Sequence, residues 1–320
     1  LTDIIGIDDE AVARAAKVLG EGGLVAIPTE TVYGLAADAT NGLAVARIFE
    51  AKGRPRFNPL ICHVSNPGMA ERFVEIDPVS RRLIDAFWPG PLTLVLPLKS
   101  SAEVHPLVTA GLSTLALRMP RGPAAEVIAT LDRPLAAPSA NTSGRISATT
   151  AEAVAEDLGG KVDLILDAGP CPVGLESTII KVEGDAISLL RPGGLPAEEI
   201  EALTGKRLKR ADQRAAIEAP GMLASHYAPR AGMRLNAREL APGEALLAFG
   251  PSRAKGAENA ARTLNLSETG NLREAAVHLF DYMKKLDQTG AATIAVEPIP
   301  HDGLGEAIND RLARAAAPRS

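Results

Sequence analysis

Cysteine is nearly missing from this chain: Cys62 and Cys171 are the whole supply in 320 residues. Two thiols make no disulfide framework, and the default for such a chain is a cytoplasmic address. Nor do they combine with the five histidines at a zinc-type spacing. Aromatic residues make up 3%, which leaves little to stack on bases. Positive charge is not in excess either. Lys and Arg number 34 against 39 Asp and Glu, for a formal net charge of -5. A chain of that balance is not built mainly to coat nucleic acid, and any basic groove must be local. No apolar run reaches the roughly 18 residues needed to cross a bilayer. The opening "LTDIIGIDDE" lacks the basic and apolar regions of a secretory signal. The common catalytic signatures are missing too. The Gly-Lys pairs at 160–161 and 205–206 lack the upstream glycine of a P-loop. No G-x-G-x-x-G follows a strand, and there is no G-x-S-x-G elbow and no H-E-x-x-H.

What is present describes a folded α/β protein. Hydrophobic residues are 46% and charged residues 23%, and the length suggests two domains rather than one. Residues 8–19 and 42–52 have apolar positions at helical spacing, as do 78–88 and 304–316. Between the helices lie short apolar runs that read as strands, such as 60–64, 92–98, 113–120 and 134–140. Thr149, with Glu152 three residues on, has the capping-box pattern of a helix start. Residues 206–230 are basic, then punctuated by Pro and Gly without a long periodic stretch, and read as a linker. Beyond them, "EALLAFG", a helix near 270–287 and "ATIAVEP" suggest a smaller α/β domain. The division is therefore 1–206, a linker at 207–231, and 232–320.

Polar residues gather at strand ends and loops, where function concentrates. "AKGRPRFNPL" places Lys52, Arg54 and Arg56 within five positions, just before Asn58. These cations either face the negative end of a helix dipole or seat an anion. His63 in "LICHV" is either a hydrogen-bonded core residue or a site residue. Alternation turns it away from Cys62, which disfavours a thiol–imidazole dyad. Arg118 in "LALRMP" lies on the face opposite Leu117 and needs an anionic partner, from protein or from substrate. "APSANTSG" is a Ser/Asn-rich loop before a capped helix, which also suits an anion.

Taken together, seven ordered segments resemble the Sua5/YrdC family of threonylcarbamoyl-AMP synthases. They are "PTETVYGL", "IFEAKGRPRFNPLICHV", "FWPGPLTLVL", "TLALRMP", "AAPSANTSG", "GLESTII" and "LLRPGG", and they cover most of residues 15–200. The family's Lys-x-Arg and Ser-x-Asn signatures appear as Lys52-Gly53-Arg54 and Ser139-Ala140-Asn141. The linker "APGMLASHYAP", with a small α/β domain after it, resembles the longer Sua5 form. Arg56 falls where the signature is open and receives no role.

The resemblance implies a twisted, open sheet with a concave basic cavity, followed by a smaller Rossmann-like domain. It implies a nucleotidyltransferase that joins L-threonine, bicarbonate and ATP into L-threonylcarbamoyl-AMP with release of pyrophosphate. A separate transferase complex would pass the group to ANN-decoding tRNAs as N6-threonylcarbamoyladenosine. It places L-threonine at Thr31, His63, Arg118, Ala137 and Ser177, with Arg118 on the carboxylate. It places ATP at Arg54, Asn58, Thr114, Ser139, Ser147, Arg191 and Tyr227. Lys52 and Arg54 would meet the phosphates, with Ser139 and Asn141 completing the catalytic set. Mg²⁺ would ride mainly on the phosphates, with no protein ligand named. Tyr227 lies in the linker, which would fold over the cavity as a lid. The rival reading is a protein that holds double-stranded RNA or tRNA on the same concave surface.

Overall fold

The computed structural model describes residues 2–211, 219–220 and 225–318. The chain begins β1 (Asp3–Gly6), α1 (Asp9–Gly20), β2 (Val25–Ile27), β3 (Gly34–Asp38), α2 (Gly42–Lys52) and β4 (Ile61–His63). It continues α3 (Pro67–Glu71), α4 (Pro78–Phe87), β5 (Leu92–Pro97), α5 (Pro106–Thr109), β6 (Thr114–Arg118), α6 (Pro123–Leu131) and β7 (Leu135–Ala136). Then come α7 (Ala151–Leu158), β8 (Leu164–Asp167), β9 (Thr178–Glu183), β10 (Ala186–Arg191), α8 (Ala197–Thr204) and β11 (Lys209–Arg210). These strands form one mixed sheet in the order β1-β8-β2-β3-β7-β4-β6-β5-β9-β10-β11.

Short polar acceptors set the helix starts. Asp8 accepts from Ala11 N, and Asn41 accepts from Leu43 N and Ala44 N. Gly53 ends α2 at φ 61°, a left-handed turn that costs glycine little. β2 and β3 are buried along their whole lengths, as expected for strands covered on both faces.

The second domain contains β12 (Gly232–Arg234), β13 (Ala245–Ala248), β14 (Thr263–Asn265), α9 (Leu272–Asp287), β15 (Thr293–Val296) and α10 (Leu304–Ala316). Its sheet, ordered β12-β15-β13-β14, is paired parallel throughout. Parallel pairing needs crossover connections, and α9 supplies the one from β14 to β15. The core around α9, α10, β13 and β15 also takes in Val32, Leu175 and Tyr227, so it extends beyond its own domain. At Gly174, before β9, the two backbones touch: a Cβ there would fall 2.4 Å from Ala276 O and 2.5 Å from Val277 Cα. Among the described residues no helix is long and apolar enough to cross a membrane.

Three local readings change. The cap of α7 is Thr150, which accepts from Ala153 N, and not Thr149 one position earlier. The strand expected over 134–140 is regular only at Leu135–Ala136; Pro138 has no N–H to donate, and pairing resumes beyond it as an isolated bridge between Ser139 and Gly34. The linker expected at 207–231 opens as β11, an edge strand parallel to β10. Its exposed cations discourage further pairing at that edge. Residues 212–218 and 221–224 of the same stretch lie outside the described residues.

Candidate active site

β4 and β6 lie parallel in a register that pairs Cys62 with Leu117 and His63 with Arg118. Alternation sends Cys62 and Leu117 into the core. His63 and Arg118 take the other face and line a small, partly open chamber of about 50 Å³. Thr31, Arg54, Ala137, Ser139, Ser177 and Arg191 complete its walls from the first domain. Pro220, His226 and Tyr227 close it from the connecting segment. Nine of the expected site residues therefore meet in one place: Thr31, Arg54, His63, Arg118, Ala137, Ser139, Ser177, Arg191 and Tyr227. A larger cleft of about 1130 Å³ lies elsewhere, near Arg121, Pro196 and Arg273, and none of the expected site residues lines it.

Lys52, Asn58, Thr114, Asn141 and Ser147 do not line the chamber. Lys52 is the informative case. It was expected to meet phosphates, but its amine is buried and donates to Ser139 O at 2.5 Å and to Asn141 O. Burial, with Arg54 beside it, pushes its pKa well below the usual lysine range. An amine retains two N–H groups when neutral, enough for both carbonyls. Asn141 donates to Thr142 O and Arg145 O at 2.8 and 3.0 Å. Lys52 and Asn141 thus shape the loop, while Gly53 turns the chain so that Arg54 reaches the chamber. The loop after Arg54 folds back on it: Arg54 donates to Asn58 O and Pro59 O at 3.3 and 2.8 Å. Asn58 Oδ1 is buried without a partner. Thr114 stands at the start of β6, partly exposed.

The question over the partner of Arg118 has a structural answer. Its Nη2 is 2.7 Å from Glu30 Oε2, and both side chains are buried. That contact is off the hydrogen-bond direction, and Glu30 Oε1 has no partner at all. The Arg118 guanidinium therefore keeps donor capacity beside the chamber. Arg191 donates to Ser177 O at 3.1 and 2.8 Å and to Ser177 Oγ at 3.2 Å. Ser147 donates to Glu176 Oε1 at 2.5 Å, and Glu176 Oε2 accepts from Arg311 Nε at 2.9 Å. Burial alone would raise the Glu176 pKa, but Arg311, Arg191 and Ser147 outweigh it and bring it down to about 2. Three buried guanidinium groups and one ionised carboxylate thus border one small space, and charges held away from solvent act more strongly than in water.

Glu30, Glu176, His226 and Arg311 received no role from sequence. Glu30 and Glu176 stand inside quoted motifs, "PTETVYGL" and "GLESTII", but glutamate in a polar loop carries no signal of its own. The partner of Arg311 is 135 positions away.

Burial, helped by Arg118, lowers the His63 pKa to about 3. His226 is also held down to about 3 by burial, with Arg54 and Lys52 adding to it against Glu176. Both imidazoles are neutral in the folded chain at ordinary pH. The unfolded chain binds protons at both below about 6.5. Stability is therefore complete above that pH and declines as pH falls toward 3, by up to about 1.4 kcal/mol per unit for each histidine. Glu176 adds its own loss only at lower pH, below the usual carboxylate range. We expect the melting temperature to drop steadily from pH 7 to pH 5, and less steeply in His226→Asn. A flat profile would contradict the neutral assignments.

Comparison with known proteins bears on the whole chain. Residues 17–193 match the family Sua5/YciO/YrdC, described as telomere recombination. Residues 195–317 match the family described as threonylcarbamoyl-AMP synthase, C-terminal domain. The chain belongs to the Sua5/YrdC family. The threonylcarbamoyl-AMP synthase of Bacillus subtilis (strain 168) is 40% identical over 337 residues, spanning 100% of this chain and 96% of that protein. The one from Pyrococcus abyssi (strain GE5 / Orsay) is 42% identical over 98% of this chain and 96% of its own length. The crystal structure of P. abyssi Sua5 complexed with L-threonine superimposes with a TM-score of 0.90 at 38% identity, covering 98% of each chain. In Sua5/YrdC terms, the Lys-x-Arg and Ser-x-Asn signatures meet through Lys52, which grips the carbonyls of Ser139 and Asn141.

Proposed function

We propose that this chain makes L-threonylcarbamoyl-AMP from L-threonine, bicarbonate and ATP, with release of pyrophosphate. The observation that carries the reading is the small chamber in which Arg54, Arg118 and Arg191 converge with His63 and Ser177. The threonine carboxylate, bicarbonate and the ATP phosphates are all anionic groups that must be crowded together, and fixed guanidinium groups offset their repulsion while aligning the reacting atoms.

Threonine sits at Thr31, His63, Arg118, Ala137 and Ser177, its carboxylate on Arg118. ATP takes Arg54, Ser139, Arg191 and Tyr227, with Asn58, Thr114 and Ser147 around its outer parts. The chamber is far too small for a nucleotide, so Pro220, His226 and Tyr227 move aside for ATP and return over it. Closure shields the labile mixed anhydride from water. Bicarbonate gives up its hydroxide, which leaves as water with one proton from the threonine ammonium. The resulting CO₂ is attacked by the free amine, whose second proton goes to solvent to leave a carbamate. A carbamate oxygen then attacks the α-phosphorus, the bond to the bridging oxygen breaks, and pyrophosphate leaves. Neutral His63, with Nδ1 unpartnered beside Arg118, suits the neighbourhood of a free amine. Among the described residues no cluster of three or more His, Cys, Asp or Glu can hold a metal, and Mg²⁺ arrives with the phosphates. The adenylate then goes to a transferase that modifies ANN-decoding tRNAs in the cytoplasm.

Incubation with ATP, bicarbonate and single amino acids tests the reading, following pyrophosphate and the adenylate by mass spectrometry. Threonine's extra methyl should favour it over serine by roughly 10–200-fold. Equal product with serine, or without any amino acid, would end the proposal.

A further inference from the structure

The C-terminal domain sends one charged side chain to the edge of the site. Arg311, on α10, is wholly buried. A buried guanidinium persists only where charges and acceptors surround it. Arg311 Nε donates to Glu176 Oε2 at 2.9 Å, and Nη1 donates to Asp310 Oδ2 at 2.6 Å. The same group lies over the Tyr227 ring, with Cζ 5.1 Å from its centroid. Phe280 of α9 also stacks on that ring, at 5.5 Å and 27°. Tyr227 has φ 62°, a left-handed conformation unfavourable for a bulky residue, so surrounding contacts must hold it there. His226 N donates to Arg314 O at 3.2 Å, which adds a second tie to α10.

We propose that Arg311 is a positioning residue for the nucleotide half of the site, acting through Glu176 on Ser147 and through Tyr227 on the lid. The inference rests on the synthase reading and on its division into threonine and ATP halves. Glu176 uses one oxygen for Arg311 and the other for Ser147. Without Arg311, Glu176 is left buried without its ion-pair partner. Its carboxylate is then no longer held in place and releases Ser147. Tyr227 loses the cation over its ring and with it part of what fixes its backbone. Thr31, His63 and Arg118 have no bond to Arg311, and Ser177 is held by Arg191 instead, so the threonine half keeps its geometry. Only arginine serves both contacts, since it offers a flat face to the ring and donor edges to the carboxylate.

Two variants test this in the full-length protein, Arg311→Lys and Glu176→Gln. Lysine retains the charge without the fork, and glutamine retains an acceptor for Ser147 without the charge. In Arg311→Lys the KM for ATP should rise by roughly tenfold or more, as for loss of a charge-assisted, stacked contact. The KM for threonine should stay within about twofold, since no threonine-side group changes partner. Glu176→Gln should show the same split, and the double variant should be no worse than the more impaired single one. Threonine binding measured by calorimetry confirms that each variant is folded. Equal rises in both KM values, a loss confined to kcat, or additive single effects would overturn the proposal. Failure of the synthase reading looks different: the unmodified protein itself would release no threonine-dependent pyrophosphate.

Discussion

Arg118→Ala should raise the KM for L-threonine by about 10–100-fold and leave the KM for ATP nearly unchanged. A hydrogen bond to a charged group contributes about 1.5–3 kcal/mol, and each 1.4 kcal/mol is tenfold. The substitution also removes the ion-pair partner of buried Glu30. Breaking a buried pair from one side costs about 3–5 kcal/mol, so the single variant should melt well below the parent. Arg118→Ala combined with Glu30→Gln separates the two effects, because the second change removes the stranded charge. The melting temperature should largely recover in the double variant while the threonine KM stays high. Initial rates of pyrophosphate release at varied threonine give the answer, and an unchanged threonine dependence would remove Arg118 from the carboxylate.

Lys52→Met should be the most damaging single change in the loop that opens with it. The methionine fills the volume but leaves Ser139 O and Asn141 O without their donor. A buried unsatisfied acceptor costs about 1–3 kcal/mol, so the pair represents a large share of the roughly 5–15 kcal/mol that holds a typical protein folded. The Ser-Ala-Asn loop then shifts, and a displacement near 1 Å at a reacting centre can reduce turnover about 100-fold. A loss of kcat with a lowered melting temperature supports the supporting role that the geometry assigns. A full loss of activity at an unchanged melting temperature would instead mean that the amine itself reaches substrate.

The contrast between Lys52 and Arg118 shows what the sequence could convey. Arg118 was legible because strand alternation fixes which side of the sheet a residue takes, and an arginine there must meet an anion. The identity of that anion was not legible, since Glu30 lies 88 positions away in another motif and only the fold brings it near. Lys52 was conspicuous as one of a cluster of cations, yet its role depends on the Ser-Ala-Asn loop, 87 positions away, lying against the end of α2, which composition does not encode. The helices expected at 8–19, 42–52, 78–88 and 304–316 were readable to within a residue, whereas the short helices Pro67–Glu71 and Pro106–Thr109 carried too little periodicity to be read at all. Where Thr149 and Thr150 stood side by side, periodicity could not choose between them. The second domain was visible as a pattern of strands and helices. That one of its arginines reaches Glu176 was not, because a charged residue on an amphipathic helix ordinarily reads as solvated surface.

The contact at Gly174 bears on how such an enzyme can open. Main chain rests on main chain between the loop before β9 and α9, with no room there for even a methyl group. Swinging the two domains apart would separate that contact together with the buried ties around Glu176. Substrate traffic is then left to the strap between the domains, and the second domain serves as the wall to which the strap is pinned.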